Sequence, residues 1–134
     1  MRVLAVALAL GLLLPLPEAR AQQAGSRTVA AMATLSILAG TVHRVPAGGT
    51  QLQAADDGMD LAEGDRIVTW PKAAALITFF DGSTVAVQPN SEVAVKKVEM
   101  SGGKRVTIGI QINAGTVWTR VVRMLDPKSS FSLE

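Results

Sequence analysis

The chain has 134 residues, 49% of them hydrophobic, with 13 basic and 11 acidic side chains, one histidine and no cysteine. The missing thiols exclude thiolate catalysis, zinc–thiolate sites and disulfide bridges. The near balance of charge argues against nucleic-acid binding, which needs many phosphate contacts on one face, and no basic run supplies them.

The first predicted element is a secretory signal. Arg2 gives a charged start, residues 3–14 form an uncharged apolar run, and Pro15 and Pro17 end any helix there. Ala19-Arg20-Ala21 then offers small residues at the two positions a signal peptidase reads. The 12 apolar residues would rise about 18 Å as a helix, short of a hydrocarbon core of roughly 30 Å. A cleaved signal therefore fits better than an anchor. Cleavage is expected after Ala21, leaving a periplasmic or secreted chain from Gln22 with no membrane span. No cysteine follows the apolar run, so a lipoprotein anchor is excluded. The signal removes Arg2, Arg20 and Glu18, which leaves 11 basic and 10 acidic residues. The sequence pI of about 9.4 reflects a scarcity of groups that titrate above neutrality, not a basic surface.

Residues 22–33 are small and polar and read as a linker. From residue 34 to 134, strand-like runs alternate with turn residues, as in a single domain large enough to bury a core. Gly48-Gly49 marks a turn, and Gly64-Asp65 another. Residues 74–80 and 83–88 flank Asp81-Gly82, a two-residue hairpin signal, and Pro89-Asn90 turns the chain again. The clearest strand is 106–112, where Val106, Ile108, Ile110 and Ile112 share one face and Thr107, Gly109 and Gln111 the other. That is the period-two pattern of a half-buried strand. Burying its four β-branched side chains contributes about 6–12 kcal/mol gross; a helix would scatter them. Ser101-Gly102-Gly103 joins it to a strand at 93–98. Asn113-Ala114-Gly115 leads into a last run at 116–122. The expected fold is all-β, a sandwich or roll of eight or nine short, mostly antiparallel strands.

Candidate sites for chemistry are few. Residues 56–65 hold Asp56, Asp57, Asp60, Glu63 and Asp65, but a calcium loop starting at Asp56 would need oxygens where Gly58 and Ile67 stand. A solvated acidic loop explains the stretch, and no metal is expected. His43 has no ligand partner at helical or hairpin spacing. Ser83 lies in no G-x-S-x-G elbow and reads as a turn residue, so Ser83→Ala should be mild. Gly102-Gly103-Lys104-Arg105 lacks the spacing of a phosphate-binding loop. No enzyme and no cofactor are expected. Trp70 and Trp118 read mainly as core residues, with partner contact as the second possibility. Alternation would place Trp118, Arg120 and Val122 on one strand face, and Trp and Arg are enriched at binding hot spots.

One ordered set of residues carries more. It runs Gly40-x-Val42, Leu61-x-x-Gly64-Asp65-x-Ile67-x-Thr69, Ala75-x-Ile77-x-Phe79-x-Asp81-Gly82-Ser83, Val85-x-Val87-x-Pro89-x-Ser91 and Gly115-x-Val117, and closes near Phe131. This set resembles the FecR-like domain of exported bacterial proteins, over nearly all of the mature chain. Within it, Gly64, Asp65, Asp81, Gly82 and Gly115 are turn positions. Ile67, Ile77, Phe79, Val85 and Val87 point inward, and Thr69 and Ser91 bond backbone at strand ends.

The resemblance implies a periplasmic all-β domain acting through protein contacts. In iron-uptake regulators, a similar domain receives a signal from an outer-membrane transporter and passes it through a membrane helix to a cytoplasmic sigma-factor regulator. This sequence has no such cytoplasmic region and looks more like the stand-alone exported members. Similar proteins continue past Phe131 through another strand, so a fragment or a naturally short member is expected. The functional expectation is a non-catalytic interaction or structural module whose partner is an envelope protein. The alternative is a carbohydrate- or peptidoglycan-binding module using Trp70 and Trp118.

Overall fold

The computed structural model describes residues 33–101, 105–122 and 128–134. The segment expected to be a signal, the expected cleavage point, residues 22–32 of the expected linker and the glycines of the expected Ser101-Gly102-Gly103 turn lie outside them. The described residues form β1 (Ala33–Ala39), β2 (Val42–Val45), β3 (Gln53–Ala54), β4 (Asp60–Leu61), β5 (Arg66–Thr69), β6 (Ala74–Phe79), β7 (Thr84–Val87), β8 (Ser91–Ser101), β9 (Arg105–Ala114), β10 (Val117–Arg120) and β11 (Ser130–Leu133). The fold is all-β, as the alternation requires. The count exceeds the expected eight or nine because β3 and β4 are two-residue pairings that carry no periodic signal. β1 begins at Ala33, one residue inside the segment read as linker; Ala33 is buried and pairs with both Leu61 and Phe79.

Two sheets enclose one core. The first has the order β10-β7-β6-β1-β4, and the second β11-β9-β8-β5-β2-β3. Strict alternation places Ala75, Ile77 and Phe79 of β6 and Val85 and Val87 of β7 inside, with Ala74, Leu76, Thr78, Thr84 and Ala86 half-buried on the outer face. Leu35, Ile67, Val93, Val95, Val98, Ile108 and Ile110 complete that core from both layers. Of the four side chains read on one face of β9, Ile108 and Ile110 are fully buried, while Val106 and Ile112 pack against the core from its margin. All five inward positions of the motif are buried.

Two connections differ from the short-hairpin expectation. β10 does not fold back on β9; it crosses to the first sheet and pairs antiparallel with β7. The chain then returns to the second sheet, where β11 runs parallel to β9. A parallel pair needs a crossover connection, and β10 supplies it by passing through the opposite layer. The other difference is the β6–β7 turn. Gly82 N–H donates to Phe79 O (2.9 Å) and Phe79 N–H to Ser83 O (2.8 Å), so three residues, not two, form the loop. Gly82 alone among them has positive φ, at 88°. This is the three-residue hairpin with a glycine bulge.

Candidate functional site

The polar residues of the motif are drawn into three structural clamps. Asp65 is 1% exposed. Its carboxylate accepts from Ala47 N–H (3.0 Å), Ala62 N–H (2.9 Å) and Arg44 Nε–H (3.1 Å), and Arg44 adds a second contact at 3.0 Å. The acidic segment is thus more than a solvated loop. Gly64 N–H donates to Val95 O, and Val95 N–H to Asp65 O. Glu63 Oε1 then accepts from Val98 N–H at 2.8 Å, standing in for a backbone carbonyl where β8 bulges between Val95 and Lys97. Asp57 Oδ1 accepts from Ile37 N–H. Each of these three carboxylates takes up a backbone donor, which lets two-residue pairings and a bulge persist without orphan groups.

The second clamp joins the ends of four strands. Thr69 Oγ1 donates to Gln88 O (2.6 Å) and accepts from Ser91 N–H (3.0 Å). Ser91 Oγ accepts from Thr116 N–H (3.0 Å) and lies 3.2 Å from both Pro89 O and Thr116 O. Gly115 sits against this cluster with φ 83°; a Cβ there would stand 2.6 Å from Ser91 Cα. Gly115 is therefore a close-approach position as well as a turn.

The third clamp corrects the mild role given to Ser83. Ser83 is fully buried. Its hydroxyl donates to Asp81 Oδ2 (2.9 Å) and accepts from Val122 N–H (3.1 Å), while its own N–H donates to Asp81 Oδ1. It ties the β6–β7 turn to the segment just after β10. With Asp65, Thr69, Ser83 and Ser91 all engaged, every buried polar side chain outside the masked segments serves the backbone. Among the described residues no three His, Asp or Glu side chains converge as a metal site would require.

The two tryptophans, read mainly as core, are both on the surface. Trp118 is 68% exposed and Trp70 43%. Trp70 follows β5, and its indole N–H donates to His43 Nδ1 of β2 at 2.6 Å, the rings meeting edge-on at 5.8 Å. His43 thus has a partner, but not a ligand. Trp118 belongs to the other layer. It lies opposite Ala86, and Arg120 opposite Thr84, so both stand on the outer face of the first sheet while Val117 turns toward the core. Trp118 lies on a strand of the first sheet, whereas Trp70 follows a strand of the second. Val121 and Val122, at 45% and 39% exposed, continue the β10 segment. Alternation places Trp118 and Arg120 on one face, as the register with β7 shows; nothing local marks β10 as an edge. The second sheet carries a shallow cleft of about 240 Å³ bordered by Lys96, Lys97, Gly109, Ile110, Ser132 and Glu134.

No family model, curated protein or solved structure matches the chain.

Proposed function

We propose that this chain is an exported, stand-alone FecR-like domain that works without catalysis, as an envelope interaction module whose contact strand is β10. The observation that carries the reading is the contrast in side-chain use. The buried hydroxyls and carboxylates are spent on backbone, whereas Trp118 and Arg120 stand exposed together, with no hydrogen bond or ion pair from their side chains among the described residues. Trp and Arg on an exposed face suit a protein partner. That Trp118 and Trp70 belong to strands or strand ends of different sheets favours this reading over the carbohydrate alternative.

The test is retention of envelope proteins and of purified peptidoglycan on immobilised protein, parent against Trp118→Ala. An envelope protein held by the parent and lost by a variant that melts normally is the expected result. Trp118-dependent retention of peptidoglycan instead would replace the proposal with a carbohydrate-binding module. Export is checked separately: mass spectrometry of fractionated cells should find a chain beginning at Gln22 outside the cytoplasm, and an intact Met1 terminus in the cytosol would refute it.

A further inference from the structure

We infer that β10 is a self-pairing edge, and that its partner is β10 of a second copy, joining two five-stranded sheets across a two-fold axis. The inference rests on the reading of β10 as a contact strand and names what it contacts.

The backbone directions come from the hydrogen bonds. Gln88 N–H donates to Thr116 O, and Val122 N–H to Ser83 Oγ. Both bonds face the β7 side. In an antiparallel strand successive residues aim their N–H and C=O groups to opposite sides. Thr116, Trp118, Arg120 and Val122 therefore direct their backbone toward β7. Val117, Thr119 and Val121 direct theirs to the other edge, with which no described strand pairs. Such a row of open groups is a template for another strand. Nothing in the segment blunts it: residues 117–122 contain no proline, lysine or carboxylate.

The side chains select the occupant. In a two-fold antiparallel pairing centred on Thr119, Thr119 meets Thr119 of the second copy, and Val117 meets Val121. These are the residues whose backbone groups point outward, so each pair can exchange both of its hydrogen bonds. Between them fall the non-hydrogen-bonded positions, where side chains approach most closely. There Trp118 meets Arg120 of the second copy, twice by symmetry, which is a cation–π pairing. Moving the centre to Arg120 would set two guanidinium groups face to face. Moving it to Trp118 would place Arg120 opposite Thr116 and Val121 opposite Gly115, losing both matches. The segment is complementary to itself in one register, as a two-fold interface requires.

Analytical ultracentrifugation of the mature chain over a range of concentrations tests this. The parent should sediment as a concentration-dependent dimer. Thr119→Pro should be monomeric with unchanged melting of the monomer, because the lost N–H faces the open edge and proline is tolerated there. Trp118→Arg should weaken the dimer at least tenfold, and the swapped double variant W118R/R120W should recover most of it, since the cross-strand pairs are restored. A parent that stays monomeric up to millimolar concentration overturns the inference, as does a Thr119→Pro variant that still dimerises or a swap that rescues nothing. A monomer that nevertheless holds an envelope protein through Trp118 would leave the proposed function standing and remove only this inference.

Discussion

At one margin of the five-stranded sheet lie Asp60 and Leu61, a strand of two residues with carboxylates on either side. At the other lie Val117–Arg120, where one arginine is the only charge. The first margin is closed by its own chain: Asp57 accepts the Ile37 N–H, and Leu35 N–H and Gly58 N–H find Met59 O and Leu35 O. Shortness and negative charge are standard ways of blunting an edge. The second margin leaves outward-pointing groups at Val117, Thr119 and Val121 and keeps an indole in solvent. One sheet thus carries a protected end and an open one, and a difference of that kind separates an edge built for stability from one available for contact.

Breaking the protected end should cost most. In Asp65→Ala, Ala47 and Ala62 lose the acceptor of their N–H groups, and Ala62 directly follows β4. At about 1.5–3 kcal/mol for a hydrogen bond to a charged group, loss of these two part-buried bonds should cost about 3 kcal/mol; Arg44 is partly exposed and adds little. Chemical denaturation should show a lower midpoint, and a variant as stable as the parent would refute the clamp.

The open end is anchored through the β6–β7 turn, and two substitutions there should have intermediate effects. Gly82→Val places a β-branched residue at φ 88°, costing about 1–3 kcal/mol, and its Cβ would stand 3.3 Å from Val122 Cγ2. A drop in melting temperature of several degrees or more is expected for a domain of this size. Ser83→Ala should cost about 1–2 kcal/mol by leaving Val122 N–H without its acceptor. Hydrogen exchange should quicken at Val122 and along β10 while β4 is unaffected. Equal loosening of both margins would show that they are not independent.

The smallest effect on stability should come from Trp118→Lys, which gives the open margin a charged side chain of the kind that blunts edge strands. An exposed substitution of this kind stays within about 0.5 kcal/mol. Thermal unfolding should be unchanged while association through β10 is lost; a marked fall in melting temperature would place the indole in a packing role.

Much of the layer architecture was legible in the sequence because period-two alternation and turn chemistry are local. Ile77, Phe79, Val85 and Val87 announce their inward direction, and Gly82 and Gly115 both adopt the positive φ that their turns imply. What was hidden is non-local. Asp65 is one of five neighbouring carboxylates, and only its convergence with Arg44 and the backbone of Ala47 distinguishes it. Ser83 reads as a turn residue until the chain after β10 reaches its hydroxyl. Trp118 reads as core because bulky aromatics usually are; the strand that carries it becomes an edge only through the crossing of β10 to the opposite sheet.

That crossing also shapes how the molecule can fold. β9 receives its outer neighbour only from residues 130–133, after the chain has visited the other layer, and Phe131 meets Phe79 edge-on at 6.1 Å across about fifty residues of sequence. Loop closure over such separations precedes the contacts that reward it, which places the domain among slow, high-contact-order folders. Until residues 130–133 are in place, β9 lacks the neighbour that pairs with its residues 107–110. Pairing at this margin of the second sheet therefore waits for four residues that follow the crossing, whereas the β8–β9 hairpin needs only its own turn.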